Sequence, residues 1–105
     1  MLAFRYDGYL GHMPTIVFFG RNASIMALAK NQIAGAGFAI EGFLDDDALI
    51  HRLDKGSVDL LVLGGGVEDA ARGSLRIYCA AKGIKLLEHF AGPEVLLENI
   101  RAALA

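Results

Sequence analysis

Four apolar runs punctuate the chain, and after each one the apolar positions change to a spacing of three or four residues. The runs are Thr15-Ile-Val-Phe-Phe-Gly20, Phe38-Ala-Ile-Glu-Gly-Phe-Leu44, Val58-Asp-Leu-Leu-Val-Leu63 and Ile84-Lys-Leu-Leu-Glu-His-Phe90. Short, nearly continuous apolar runs of this kind mark strands covered on both faces. Glu41 and Gly42 within the second run suit an edge strand better than a central one.

The intervening stretches read as helices. Asn22 or Ser24 can cap the first, which carries Ile25, Met26, Leu28, Ala29 and Ile33 and ends at Gly35 and Gly37. Asp46 or Asp47 can cap a short second helix through Ala48, Leu49, Ile50 and Leu53, closed by Lys55 and Gly56. Glu68 to Lys82 forms the third, with acids in its first turn and Gly83 after its last. Gly73 inside it costs about 1 kcal/mol relative to Ala. Pro93 stands at the first position of a closing amphipathic helix carrying Val95, Leu96, Leu97, Ile100 and Leu104.

Four strand-helix units with short connections predict a three-layer α/β/α fold, flavodoxin-like, with a four-stranded parallel sheet. Right-handed crossovers favour the strand order 2-1-3-4. That order puts a topological switch point between strands one and three, with a crevice lined by residues 20–24 and 64–68. Residues 14–105 make this one domain. Residues 1–13 read as an N-terminal arm: Met1 to His12 has no period of two or 3.6, and Gly11-His12-Met13 looks like a leader joined to a natural start at Met13.

Composition narrows the functional classes. The 105 residues are 54% hydrophobic and 21% charged, which favours a wrapped sheet over a solvated segment. Ten Lys and Arg against 12 Asp and Glu leave a net charge of −2 and no basic block, so phosphate neutralisation gives nucleic acid little to bind. With no long apolar span and no basic-start signal peptide, the expected setting is the cytoplasm, without a membrane. The lone Cys79, mid-helix, reads as a buried structural thiol.

The candidate chemistry lies at the predicted crevice. Gly20, Arg21, Asn22 and Ser24 open the first helix, and Gly64, Gly65 and Gly66 follow the third strand, so Arg21 and free helix N–H groups could hold a small anion there. Alternatively Arg21 pairs with Glu68 or Asp69 across the crevice, and the glycines only make the turn. Asp45, at the end of strand two, stands where a ribose-binding acid would, as in a Rossmann nucleotide-binding half; Gly20-Arg-Asn-Ala-Ser-Ile25 lacks that motif's three-glycine fingerprint. Asp45 to Asp47 read as helix-capping and exposed rather than as a metal cluster. His89, at the rim, has no nameable nucleophile partner and reads as an ordinary surface or half-buried histidine.

Val58-Asp-Leu-Leu-Val-Leu-Gly64, followed by Ala91-Gly-Pro-Glu-Val-Leu-Leu-Glu-Asn-Ile-Arg-Ala-Ala-Leu104, resembles the receiver domains of bacterial response regulators. In that family an aspartate ending the third strand accepts a phosphoryl group, acids after the first strand hold magnesium, and a lysine precedes the last helix's proline. Here Gly64 stands at the acceptor position, Gly20 and Arg21 replace the acids, and Gly92 replaces the lysine. The chain also has four units where receivers usually have five. The resemblance therefore implies a degenerate, non-phosphorylatable receiver-like domain: a non-catalytic regulatory or protein-interaction module, expected to form a homodimer or meet a protein partner, with an edge strand such as 84–90 or the last helix as its surface. The alternative is a nucleotide or small-anion binding module, and the least favoured is a small enzyme. No resident cofactor or metal is expected.

Overall fold

The computed structural model of the chain describes residues 13–105. Its elements run β1 (Thr15–Phe19), α1 (Ala23–Gly35), β2 (Ala39–Phe43), α2 (Asp46–Asp54), β3 (Leu60–Leu63), α3 (Asp69–Lys82), β4 (Leu86–Glu88) and α4 (Leu96–Leu104), with a 3₁₀ turn over Pro93–Val95 leading into α4. Every strand pair is parallel and the order is β2-β1-β3-β4, the flavodoxin-like arrangement expected from the alternation of runs. The arm expected over residues 1–13 lies, Met13 apart, outside the described residues.

The unbroken apolar character of β1 and β3 follows from burial on both faces. Ile16, Phe18, Leu60 and Val62 point to one side and pack with Met26, Ala29 and Ile33 of α1 and Leu96 and Ile100 of α4. Val17, Phe19, Leu61 and Leu63 point to the other and pack with Leu49 and Leu53 of α2 and Leu75 and Cys79 of α3. Residues 60 to 63 have no exposed surface at all. At about 1.5–3 kcal/mol for each large apolar side chain taken from water, these two strands contribute a large favourable term to the fold.

Element ends agree with the sequence expectation at Asn22 and Gly83 and depart from it elsewhere. Asn22 caps α1, its Oδ1 accepting from the Ile25 N–H at 3.0 Å. Asp45, not Asp46 or Asp47, caps α2, because it is the residue still in extended backbone; its Oδ2 accepts from the Ala48 N–H at 2.9 Å. Gly83 ends α3 in the left-handed region at φ 71°, where a side chain would be strained. Gly42 has another reason to be glycine: a Cβ there would overlap the sulfur of Met26 and come within 3.1 Å of Lys30 Cδ. α1 thus sits close on β2. The expected strands are trimmed, 58–63 to Leu60–Leu63 and 84–90 to Leu86–Glu88, and Pro93 opens the 3₁₀ turn rather than α4 itself.

Candidate functional site

The switch point falls where the topology predicts, at the C-terminal ends of β1 and β3. Gly64 N donates to Phe19 O at 2.8 Å and Gly20 N to Phe43 O at 3.1 Å, so both glycines continue the backbone alignment of the sheet. Their Cα positions face the α1/α4 side. There the ring of Phe18 fills the space: a Cβ at Gly20 would lie 3.2 Å from Phe18 Cε1, and one at Gly64 would lie 3.3 Å from Cζ. Gly64 therefore brings no carboxylate to the switch point, and a side chain there would press against the Phe18 ring.

On the opposite face Arg21 closes the crevice. Its guanidinium stacks over the Phe19 ring at 4.7 Å and donates to Leu44 O at 2.8 Å. It also pairs with Asp46 at 2.6 Å and with Glu68, through Nη2 at 2.8 Å and through Nε. Of the two acids expected as partners, Glu68 is used and Asp69 is not; Asp46, at the first position of α2, takes its place. Asp46 and then Glu68 raise the Arg21 pKa further above its already high value, and Arg21 in turn lowers both carboxyls. Two carboxylates thus compensate the cation that was the candidate anion ligand.

A second guanidinium, unanticipated from the sequence, holds the glycine loop. Arg72 is 2% exposed on the inner side of α3. It donates to Gly64 O, to Val67 O at 2.8 Å and to Glu88 Oε1 at 3.1 Å, and its guanidinium carbon lies 4.3 Å from the centroid of the Phe90 ring. Arg76 meets the same carboxylate at 2.7 Å. The two arginines, Arg76 foremost, bring the Glu88 pKa down to about 2. The sequence signal was there: Arg72 shares a helical stripe with Leu75 and Cys79, and a charge on an apolar stripe needs a buried partner.

The remaining candidates separate from the crevice or are spent locally. Asn22 and Asp45 are helix caps, and Ser24 is exposed on α1. Gly65 and Gly66 are exposed, with negative or extended φ, and open space or only Arg21 Cβ at 3.8 Å where their Cβ atoms would be. His89 is buried rather than a surface residue. Its Nε2 lies 3.1 Å from Gly92 O, and its Nδ1 is 3.3 Å from Asn99 Nδ2, so Nε2–H donates to the carbonyl and Nδ1 accepts from the amide. Cys79 is buried in α3, and desolvation pushes its thiol pKa up. Among the described residues no cluster of three His, Cys, Asp or Glu is placed to hold a metal, and no helix is long and apolar enough to cross a membrane.

An open groove of about 450 Å³ lies beside the crevice, between α2 and α3. Leu49, Ile50, Ala71 and Leu75 floor it, and Arg21 with Asp46 and Glu68 stands at one end. Tyr78 and Asp54 join the two helices by a hydrogen bond that raises the phenol pKa to about 12. With an apolar floor and its one lining cation already paired, the groove offers contact area rather than charge recognition. No protein family, curated protein or solved structure matches the chain.

Proposed function

We propose that this chain is a non-catalytic regulatory or protein-interaction domain on a receiver-like scaffold, one that does not take up a phosphoryl group. The observation that carries the reading is that the switch-point crevice is filled by the chain's own groups. The Phe18 ring occupies one face, and the Arg21–Asp46–Glu68 cluster closes the other. Acyl-phosphate chemistry needs a carboxylate nucleophile, a magnesium site and a cation for the phosphoryl oxygens. Gly64 supplies no carboxylate, and the Arg21 cation is already neutralised.

Intact-mass spectrometry after incubation with magnesium and acetyl phosphate tests this. The expected result is an unchanged mass; one added phosphoryl group on an Asp or Glu contradicts the reading.

A second reading, nucleotide or small-anion binding at the same crevice, has one observation in its favour. Neither backbone angle nor neighbouring atoms require glycine at Gly65 or Gly66, and a backbone bare of side chains is what a phosphate can approach. A thermal-shift panel of phosphate, mononucleotides and dinucleotides separates the two, since a ligand that binds the native state selectively raises its melting temperature. No shift at millimolar ligand is expected.

A further inference from the structure

The sheet ends in two edges that the chain treats differently. At β2, residues 39 and 43 spend their backbone groups on the β1 side, through Ala39 N to Pro14 O and Gly20 N to Phe43 O, so residues 40 and 42 turn outward. The Lys30 stem lies against Gly42 on the α1 face of β2, and no carboxylate among the described residues pairs with it. An unpaired lysine is a common guard against strand addition.

β4 carries no such guard. Leu61 N donates to Lys85 O and His89 N to Leu63 O, so residues 85, 87 and 89 face β3 while Leu86 and Glu88 present N–H and C=O to the outside. Among the described residues nothing pairs with those groups. The charges along β4 are already matched within the chain: Glu88 by Arg72 and Arg76, and Lys85 by the Ala103 and Leu104 carbonyls at the end of α4. Just past the strand, Phe90 is 69% exposed. Moreover, the sequence reads as a seven-residue strand over 84–90, of which residues 85 to 89 are hydrogen-bonded to β3 and Leu86–Glu88 form the regular strand.

We propose that β4 pairs antiparallel with β4 of a second copy, joining two four-stranded sheets into one; this gives the interaction role above its surface and partner. Two-fold symmetry and the outward parity of Leu86 and Glu88 set the register. Leu86 lies opposite Glu88 of the second copy in a hydrogen-bonded pair, and Leu87 lies opposite its own mate on the axis in a non-hydrogen-bonded pair. Extended by the same parity, Ile84 faces Phe90 of the second copy, an aromatic and β-branched cross-strand pair formed twice. The exposed phenyl ring thereby gains an apolar neighbour, and Glu88 enters the seam already neutralised. The strand then has the length its sequence pattern implies.

The test uses the full chain with Cys79→Ala, so that any introduced thiol is alone. Light scattering at high protein concentration is expected to give twice the chain mass. Under mild oxidation Leu87→Cys is expected to cross-link, since non-hydrogen-bonded partners sit about 4.5 Å apart at Cα. Leu86→Cys and Glu88→Cys are expected not to, because each lies about 9 Å from its own mate, beyond disulfide reach. Phe90→Ser, which removes the exposed ring without placing a second cation beside Arg72, is expected to weaken association about tenfold. A monomer at every concentration overturns the pairing, as does a dimer in which Leu87→Cys fails to cross-link while the other two succeed. Either result bears on β4 alone, because the mass and ligand measurements above read the interaction role independently.

Discussion

Arg72 is the most deeply buried charged side chain among the described residues. Buried on three sides by Gly64, Val67 and Glu88, it ties the loop after β3 to β4. Arg72→Met keeps the apolar stem and removes the donors, leaving the Gly64 and Val67 carbonyls without this donor and Glu88 with Arg76 alone. Leaving a buried acceptor without its donor costs about 1–3 kcal/mol, so the urea midpoint is expected to fall; a change under about 1 kcal/mol would show that the guanidinium is replaceable by water. Glu88 gives the matching pH prediction. Its folded-state pKa of about 2 lies below the ordinary glutamate value, so the stabilisation is present above the unfolded pKa and is lost as pH falls through about 2. Wild type and Glu88→Gln are expected to differ in denaturant midpoint at pH 6 and to converge near pH 2, whereas a gap independent of pH would place the effect elsewhere. Gly20, Arg21 and Gly64 were legible in the sequence as the switch-point residues, because the end of an apolar run locates them. What fills the space between them was not, since Phe18 and Asp46 reach it only through strand parity and helix docking.

Among the elements, α1 and β2 make the tightest approach. The methyl missing from Gly42 is the space that the Met26 sulfur occupies. Overpacking at such a contact costs about 1–3 kcal/mol, so Gly42→Val is expected to lower stability by that much, and adding Met26→Ala is expected to recover part of the loss in a double-mutant cycle. Strict additivity would mean the two residues do not touch. The caps form a cleaner pair: Asp45→Ala is expected to cost about 1 kcal/mol through the lost bond to Ala48 N. The order and type of all eight elements could be read from the sequence, because burial on both sheet faces forces continuous apolar runs and short connections leave one simple topology. Their ends could be read only in part: Asn22 and Gly83 stand among the expected caps and stops, whereas which aspartate caps α2 depends on which one keeps an extended backbone. Asp45, rather than Asp46 or Asp47, caps α2, and β4 covers only Leu86–Glu88 of the apolar run.

On the scale of the whole molecule, the described arginines of the sheet's C-terminal rim are matched internally. Arg21 is bracketed by Asp46 and Glu68, and Arg72 and Arg76 share Glu88. A net charge of −2 adds no long-range pull on anions. Among the described residues, the apolar surface and backbone left uncovered include the groove between α2 and α3, the Phe90 ring and the outer edge of β4. That distribution supports a domain whose work is contact with protein rather than with a small charged ligand. Amide NMR at the rim tests this most directly, following the Gly64, Gly65 and Gly66 resonances during titration with phosphate and adenine nucleotides at constant ionic strength. If the crevice is closed by Phe18 and Arg21, these resonances stay in place up to millimolar ligand. Saturable shifts confined to those glycines and Arg21 would contradict the closed crevice and restore ligand binding as the function.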